Sequence, residues 1–216
     1  MSDSFDRIGA EVTACQRCPL AATRTNAVPG NGDPTSPYLF IGEAPGLHED
    51  SQGLPFVGNA GQVLNRLIGA AGLRREKVFV TNIVKCRPPN NRDPHPEEIN
   101  ACSDFLHRQI DLMDPKAIVT LGRFSMNHFL PGEKISRIHG SAHVVDNRII
   151  IPMYHPAASL HQPSLGQALN DDFRQIPDLV SADRKQNAEE ASAESKLSVE
   201  IEPGSDSDNL RQLTLF

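Results

Sequence analysis

Four cysteines stand in two pairs of unlike spacing. Cys15 and Cys18 form a C-x-x-C, and Cys86 and Cys102 are separated by fifteen residues. Two thiolates three positions apart can reach one metal or cluster from a single turn. Three readings of the set are open: buried thiols, which are common core residues, a zinc site, or an iron–sulfur cluster. Zinc ribbons show two close pairs, and the second pair here is wide. A four-cysteine cluster tolerates irregular spacing, so the spacing favours the cluster. Such a cluster would staple the N-terminal helix to the segment around Cys86–Cys102. Two disulfides are disfavoured, because no signal-peptide run precedes the cysteines and a reducing compartment is expected.

A second group of residues points to different chemistry. The stretch "GEAPGLHEDSQGLPFVGNAG", residues 42–61, holds five glycines yet keeps Phe56 and Val57 at its middle. Glycines of this kind let a ligand approach the backbone closely. Glu43 follows the apolar run "YLFI", Asn82 ends "KVFVTN", and His155 follows "RIIIPMY". Singly, a helix cap, a turn residue and a loop histidine explain them. In an open parallel sheet, however, groups at the carboxyl ends of strands converge on one crevice. Together they suit cleavage of a nucleobase from its sugar. An Asn amide can donate to a uracil carbonyl and accept from N3–H, a pattern that cytosine reverses. A Phe can stack on the base. A His beside O2 can stabilise the departing anion, with backbone N–H groups of the Gly-rich turn. A carboxylate can position water or stabilise a cationic sugar.

The elements that must position these groups alternate. A helix is predicted over about Ser4–Ala14, with Phe5, Ile8 and Val12 along one stripe. The strand "YLFIG" follows, then the helix "AGQVLNRLIGAA" with Asn59 as N-cap and Gly72 closing it. "KVFVTNIV" is a second strand. Pro96 opens the helix "PEEINACSDFLHRQIDLM", and "AIVTLG" is a third strand, followed by a short helix around "RFSMNHFL". "AHVVD" and "RIIIPMY" flank a turn and predict a hairpin. The last helix, "LGQALNDDFRQI", is expected to end before Pro177. Strands alternating with helices imply an α/β fold with a mostly parallel sheet.

Several ordered motifs carry a resemblance: "GEAPG", "G-x-PFVG-x-AG", "TN-x-VKCRPP-x-NR", "PK-x-I-x-TLGR" and "HPA", with the two cysteine pairs. Over roughly residues 10–176 the chain resembles the family 4, iron–sulfur type of uracil-DNA glycosylase. The resemblance implies a three-layer α/β/α sandwich around a four-stranded parallel sheet. It implies a [4Fe–4S] cluster on Cys15, Cys18, Cys86 and Cys102. It supports Glu43 and His155 as catalytic groups, and Phe56, Asn82, Ala44 and Glu49 as residues at the base, with Glu49 crowding C5 against thymine. Uracil-containing DNA is the implied substrate. His139 and His161 stand where the family commonly has arginines, in loops expected to face DNA. Leu160 is the candidate wedge for the gap left by a flipped base. Lys85, Arg87, Arg92 and Arg123 are candidate phosphate contacts, Lys85 and Arg87 foremost.

The net charge of −6 argues against a generally basic coat, but it is uneven. Acidic residues outnumber basic ones by four from Ser181 onward, leaving −2 on residues 1–180. Residues 1–180 are therefore read as the glycosylase domain. Residues 181–211, rich in Ser, Ala and Glu, read as a disordered acidic linker. The chain closes on "QLTLF", with Gln212, Leu213, Leu215 and Phe216. This resembles the peptide by which bacterial repair proteins bind the sliding clamp. No segment approaches the ~20 apolar residues of a membrane span, so a soluble, cytoplasmic monomer is expected.

Overall fold

Side chains along the first long strand alternate between two cores. Phe40 packs with Val80, Val119 and Ile151 beneath Leu64, Leu67, Ile68, Phe173 and Ile176. Leu39 and Ile41 join Phe79, Ile118 and Ile150 on the opposite face, beneath Ile8, Val12, Phe105, Leu106 and Ile110. A period of two is what a pleated strand imposes. A strand covered on both faces reads as an unbroken apolar run, which is why "YLFI" and "AIVTL" stand out in the sequence.

The computed structural model describes residues 3–199 and the side chains of residues 3–182. Its strands are β1 (Asn31–Gly32), β2 (Tyr38–Gly42), β3 (Phe79–Asn82), β4 (Ala117–Leu121), β5 (His143–Val145) and β6 (Arg148–Met153). Its helices are α1 (Phe5–Ala14), α2 (Leu20–Thr23), α3 (Leu47–Gln52), α4 (Asn59–Ala70), α5 (Pro96–Met113), α6 (Arg123–Phe129), α7 (Ile135–Ile138), α8 (Ala158–His161) and α9 (Pro163–Val199). The order in the sheet is β1-β3-β2-β4-β6-β5. Helices α4 and α9 cover one face; α1 and α5 cover the other.

The expected four-stranded parallel sheet is corrected to a mixed sheet of six strands. Strands β3, β2, β4 and β6 run parallel, and antiparallel edges are added by β1 and β5. Strand β1 has two residues, too short to leave a pattern. The predicted hairpin is present as β5–β6, turning at Asp146 and Asn147, both in the left-handed region (φ 49° and 61°), as two-residue hairpins require.

Two boundaries also shift. Gly58, not Asn59, caps α4, and its N–H is taken by the Glu49 carboxylate at 3.0 Å. Helix α9 does not stop before Pro177 but continues through it. Proline removes one helical hydrogen bond; Phe173, Ile176 and Val180 around it are buried, and their packing outweighs that loss. Of the stretch 181–211 read as a disordered linker, residues 181–199 fall in α9, and residues 200–211 lie outside the described residues. The terminal peptide Gln212–Phe216 lies outside the described residues. The chain divides into two units, Met1–Val180 and Ser181–Phe216; the sheet and both cores belong to the first. Among the described residues no helix is long and apolar enough to cross a membrane.

Two glycines separate packing from propensity. A Cβ at Gly42 would lie 2.3 Å from Asn82 Oδ1 and 2.7 Å from the Phe56 ring, whereas one at Gly69 in α4 meets nothing within 4 Å. Gly42→Ala is expected to cost about 1–3 kcal/mol by overpacking. Gly69→Ala is expected to gain roughly 0.5–1 kcal/mol of helix stability. Urea unfolding midpoints of the two variants check both signs.

Candidate functional site

The chain runs from β2 to β3 on one side and continues to β4 on the other. A crevice opens outside the carboxyl ends of strands at such a switch point. Here it is a cleft of about 370 Å³ whose lining includes Glu43, Ala44, Glu49, Phe56, Asn82 and His155. All six residues named from the sequence as catalytic or base-contacting therefore meet in one place. Gly42 and Asn82 are partners in the parallel β2–β3 ladder, which sets Glu43 one residue beyond Asn82's level.

Asn82 is 2% exposed. Its side-chain amide has no protein hydrogen-bond partner among the described residues, so donor and acceptor are both free for a ligand. Phe56 holds a left-handed backbone (φ 56°) that non-glycine residues rarely adopt. Two features keep it there. Its main chain rests on Gly61, where a Cβ would come within 1.7 Å of the Phe56 carbonyl oxygen. The following N–H groups of Val57 and Gly58 donate to Glu49 Oε1 at 3.1 and 3.0 Å. Glu49 Oε2 meanwhile accepts from the Gly46 N–H at 3.1 Å. Glu49, expected to crowd the base, thus also clips the start of α3 to the Phe56 turn.

His155 stacks beside Phe56 with ring centroids 5.9 Å apart. Its Nδ1 accepts from the Ala157 N–H at 3.2 Å, so the proton of the neutral ring sits on Nε2. Burial pushes the His155 pKa down to about 4, with Glu49 pulling the other way. The imidazole is therefore neutral at physiological pH and is still a donor. Glu43 moves in the opposite sense. Burial, reinforced by Asp93 and opposed by Arg123, lifts its carboxyl to about 7.

The expected DNA contacts fare differently. Leu160 on α8 is 49% exposed, as a wedge must be. Arg87 is half-buried, with its Nε on Asn91 Oδ1 at 2.7 Å. Arg92 faces the cleft but is engaged by Glu98 through two bonds of 2.9 and 2.6 Å. Arg123 is paired with Asp93. The other two have partners within the fold. His139 is folded onto α9, its Nδ1 2.7 Å from Asp172 Oδ2 and its ring against Tyr154. Lys85 is 1% exposed, and burial lowers its pKa to about 8. A side chain enclosed to that degree reaches no phosphate.

Cys15, Cys18, Cys86 and Cys102 line one hollow behind β3, with Arg24, Arg17 and Phe105, and none of the four is in a disulfide. Three of the sulfurs receive N–H groups: Cys15 from Arg17 N at 3.5 Å, Cys102 from Lys85 N at 3.3 Å, and Cys86 from Arg24 Nη1 at 2.9 Å. Arg24 also donates to the Thr13 and Cys15 carbonyls at 2.7 and 3.0 Å. Burial pushes the Cys86 thiol up against the pull of Arg24, and pushes Cys102 up to about 11. Among the described residues no three His, Cys, Asp or Glu side chains close on a single-ion site. Sequence reading missed Arg24, which lies 62 residues from its sulfur partner, and the cleft residue Asn91, and it named Arg92 only as a phosphate contact and not as part of the cleft lining. Only the string "CRPP-x-NR" marked that loop.

Residues 29–176 match the family described as the uracil DNA glycosylase superfamily. The chain is 48% identical over 188 residues to the type-4 uracil-DNA glycosylase of Sulfurisphaera tokodaii, an alignment spanning 82% of this chain and 86% of that protein. It is 45% identical over 186 residues to the type-4 enzyme of Archaeoglobus fulgidus, spanning 82% and 94% respectively. Against the type-4 enzyme of Thermotoga maritima the identity is 42% over 160 residues, spanning 73% and 83%. By these matches the chain belongs to the uracil DNA glycosylase superfamily.

Proposed function

We propose that the chain excises uracil from DNA by hydrolysing its N-glycosidic bond, with Glu43, Phe56, Asn82 and His155 as the working groups. The observation that carries this is the buried, unpartnered Asn82 amide beside an aromatic face and a neutral imidazole donor. An extruded uracil stacks on Phe56. Asn82 donates to a base carbonyl and accepts from N3–H, so cytosine leaves both atoms mismatched. As the glycosidic bond breaks, its electrons pass to the base and charge collects on O2. The Nε2–H of His155 meets that charge as a neutral donor and keeps its proton. The Glu43 carboxylate faces the sugar, where it orients the attacking water and stabilises the cationic centre. Ala44 and Glu49 bound the base pocket, Leu160 fills the vacated stack, and Arg87 supports the phosphate backbone.

Cys15, Cys18, Cys86 and Cys102 would together hold a [4Fe–4S] cluster. Four cysteines that line one hollow, in pairs of unlike spacing, suit a multi-atom cluster better than one zinc ion. Burial of Cys86 and Cys102 favours their protonated form until a bound cationic centre offsets the loss of solvent. When bound, the cluster supplies a cross-link between the end of α1 and the segment leading into α5. Arg24 adds a fixed charge on Cys86. The terminal Gln212, Leu213, Leu215 and Phe216 form a peptide for the apolar groove of a sliding clamp, tethering the enzyme near new DNA.

Three measurements test these assignments. Glu43 is protonated below about 7 and anionic above it, and the anion is the working form. The kcat/KM for a uracil-containing oligonucleotide should therefore rise with pH up to about 7 and then level. Glu43→Gln should lose on the order of 100-fold and the rise with it; a flat profile between pH 5 and 8 contradicts the role. Protein purified without oxygen should contain iron and acid-labile sulfide in equal amounts, and Cys102→Ser should lose both; zinc in their place overturns the cluster. A synthetic peptide ending in "QLTLF" should bind a bacterial clamp in fluorescence anisotropy, and Leu215→Ala with Phe216→Ala should abolish it. Undiminished binding by the double variant removes the clamp assignment.

A further inference from the structure

Lys85 is among the largest fully buried side chains of the protein. Its ammonium has three donors and uses all of them inside. Nζ donates to Thr81 Oγ1 at 2.6 Å, to the Asn82 carbonyl oxygen at 2.8 Å and to Gln109 Oε1 at 2.7 Å. All three acceptors are neutral, so the charge is buried without a carboxylate bonded to it. Such a charge is costly, and a methionine would fill the same space without the cost. The acceptors are themselves fixed. Gln109 Nε2 donates to the Pro29 carbonyl at 2.7 Å, and Thr81 Oγ1 to the same oxygen at 3.0 Å.

The other end of the residue lies in the cysteine site. The Lys85 N–H donates to Cys102 Sγ at 3.3 Å, and Cys86 is the next residue in the chain. Gln109 and Cys102 both stand on α5. Lys85 therefore spans from the sulfur hollow to the backbone of the residue whose side chain enters the cleft.

We propose that Lys85 is a positioning residue for Asn82, a strut that fixes the base-reading amide to the cysteine site, and not a DNA contact. The proposal rests on Asn82 reading the base. The ammonium pulls on the Asn82 carbonyl from within the core while the side chain faces the cleft, so loss of the strut frees the end of β3 to shift. Displacement of about 1 Å at a reacting group can cost on the order of 100-fold.

The test uses the iron-loaded protein and compares Lys85→Met, Thr81→Val and Asn82→Ala with the parent. Free uracil affinity, kcat and KM on a uracil oligonucleotide, affinity for a uracil-free oligonucleotide across salt, and iron content are measured for each. Lys85→Met is expected to weaken uracil binding and lower kcat/KM about 10–100-fold. Its affinity for uracil-free DNA and the salt slope should not change. A salt slope smaller by about 1 with uracil affinity intact marks a phosphate contact and overturns the proposal, as does a variant equal to the parent. Should Lys85→Met not fold, Thr81→Val removes one acceptor alone and should lower uracil affinity a few-fold in the same direction; a folded Thr81→Val with parental uracil affinity overturns it. Asn82→Ala separates the two failures. If it binds uracil like the parent, the base-reading assignment falls and the strut with it. If it loses uracil while Lys85→Met keeps it, only the strut falls.

Discussion

The site depends on an atom that is missing. At the end of β2 the chain has glycine, and its partner in the adjacent parallel strand is Asn82. The space that a Cβ would take at residue 42 is occupied by Asn82 Oδ1 and the rim of the Phe56 ring. Asn82 and Phe56, the proposed base reader and stacking face, therefore meet across a bare backbone. Any larger residue forces them apart, and no adjustment of one restores the other. The register of β2 and β3 fixes where Asn82 stands, the glycine lets it stand that close, and Glu43 follows directly from the same strand end. The chemistry of the cleft is in this sense a consequence of sheet geometry.

Around that contact the surroundings drive two titrating groups in opposite directions. Burial takes the imidazole of His155 down to about 4 and the carboxyl of Glu43 up to about 7. Both effects have one cause, the loss of water around the charged form. For His155 the consequence is a donor that carries no charge of its own, as its proposed role beside a departing base anion requires. For Glu43 it is a carboxylate that ionises near neutrality, with Asp93 and Arg123 acting in opposition beside it. A cleft that was equally buried but lacked the Ala157 N–H on Nδ1 would leave the imidazole tautomer unsettled.

Much of this was legible from the residues because buried parallel strands announce themselves as apolar runs, and the groups after such runs share one edge. Glu43, Asn82 and His155 were found that way, and Phe56 by its place among glycines. What stayed hidden has a common character. Lys85 reads as a surface cation beside "CRPP", because nothing local shows that Gln109, 24 residues on, supplies an acceptor. Arg24 sits in an unremarked turn until Cys86 is folded against it. Glu49 serves backbone groups eight and nine residues ahead. Strand β1 is too short to have a period, and Pro177 misleads because the packing of Phe173 and Ile176 outweighs local propensity. Polar side chains that bond across the fold leave no periodic trace, whereas apolar ones do.

The two sites of the protein are consequently not independent in construction. The hollow of the cysteines and the cleft lie on either side of the short segment from Asn82 to Cys86, five residues that include the end of β3. Arg24 anchors one side of that segment to the end of α1 through the Thr13 and Cys15 carbonyls. Gln109 and Cys102 anchor it to α5. A loop so short, held from both directions, has little freedom to drift, and the residue at its head inherits that rigidity. Base discrimination by a single amide needs its atoms held within fractions of an ångström. On the proposed reading of Asn82 and Lys85, the cysteine site serves uracil recognition through position alone, without taking any part in the reaction.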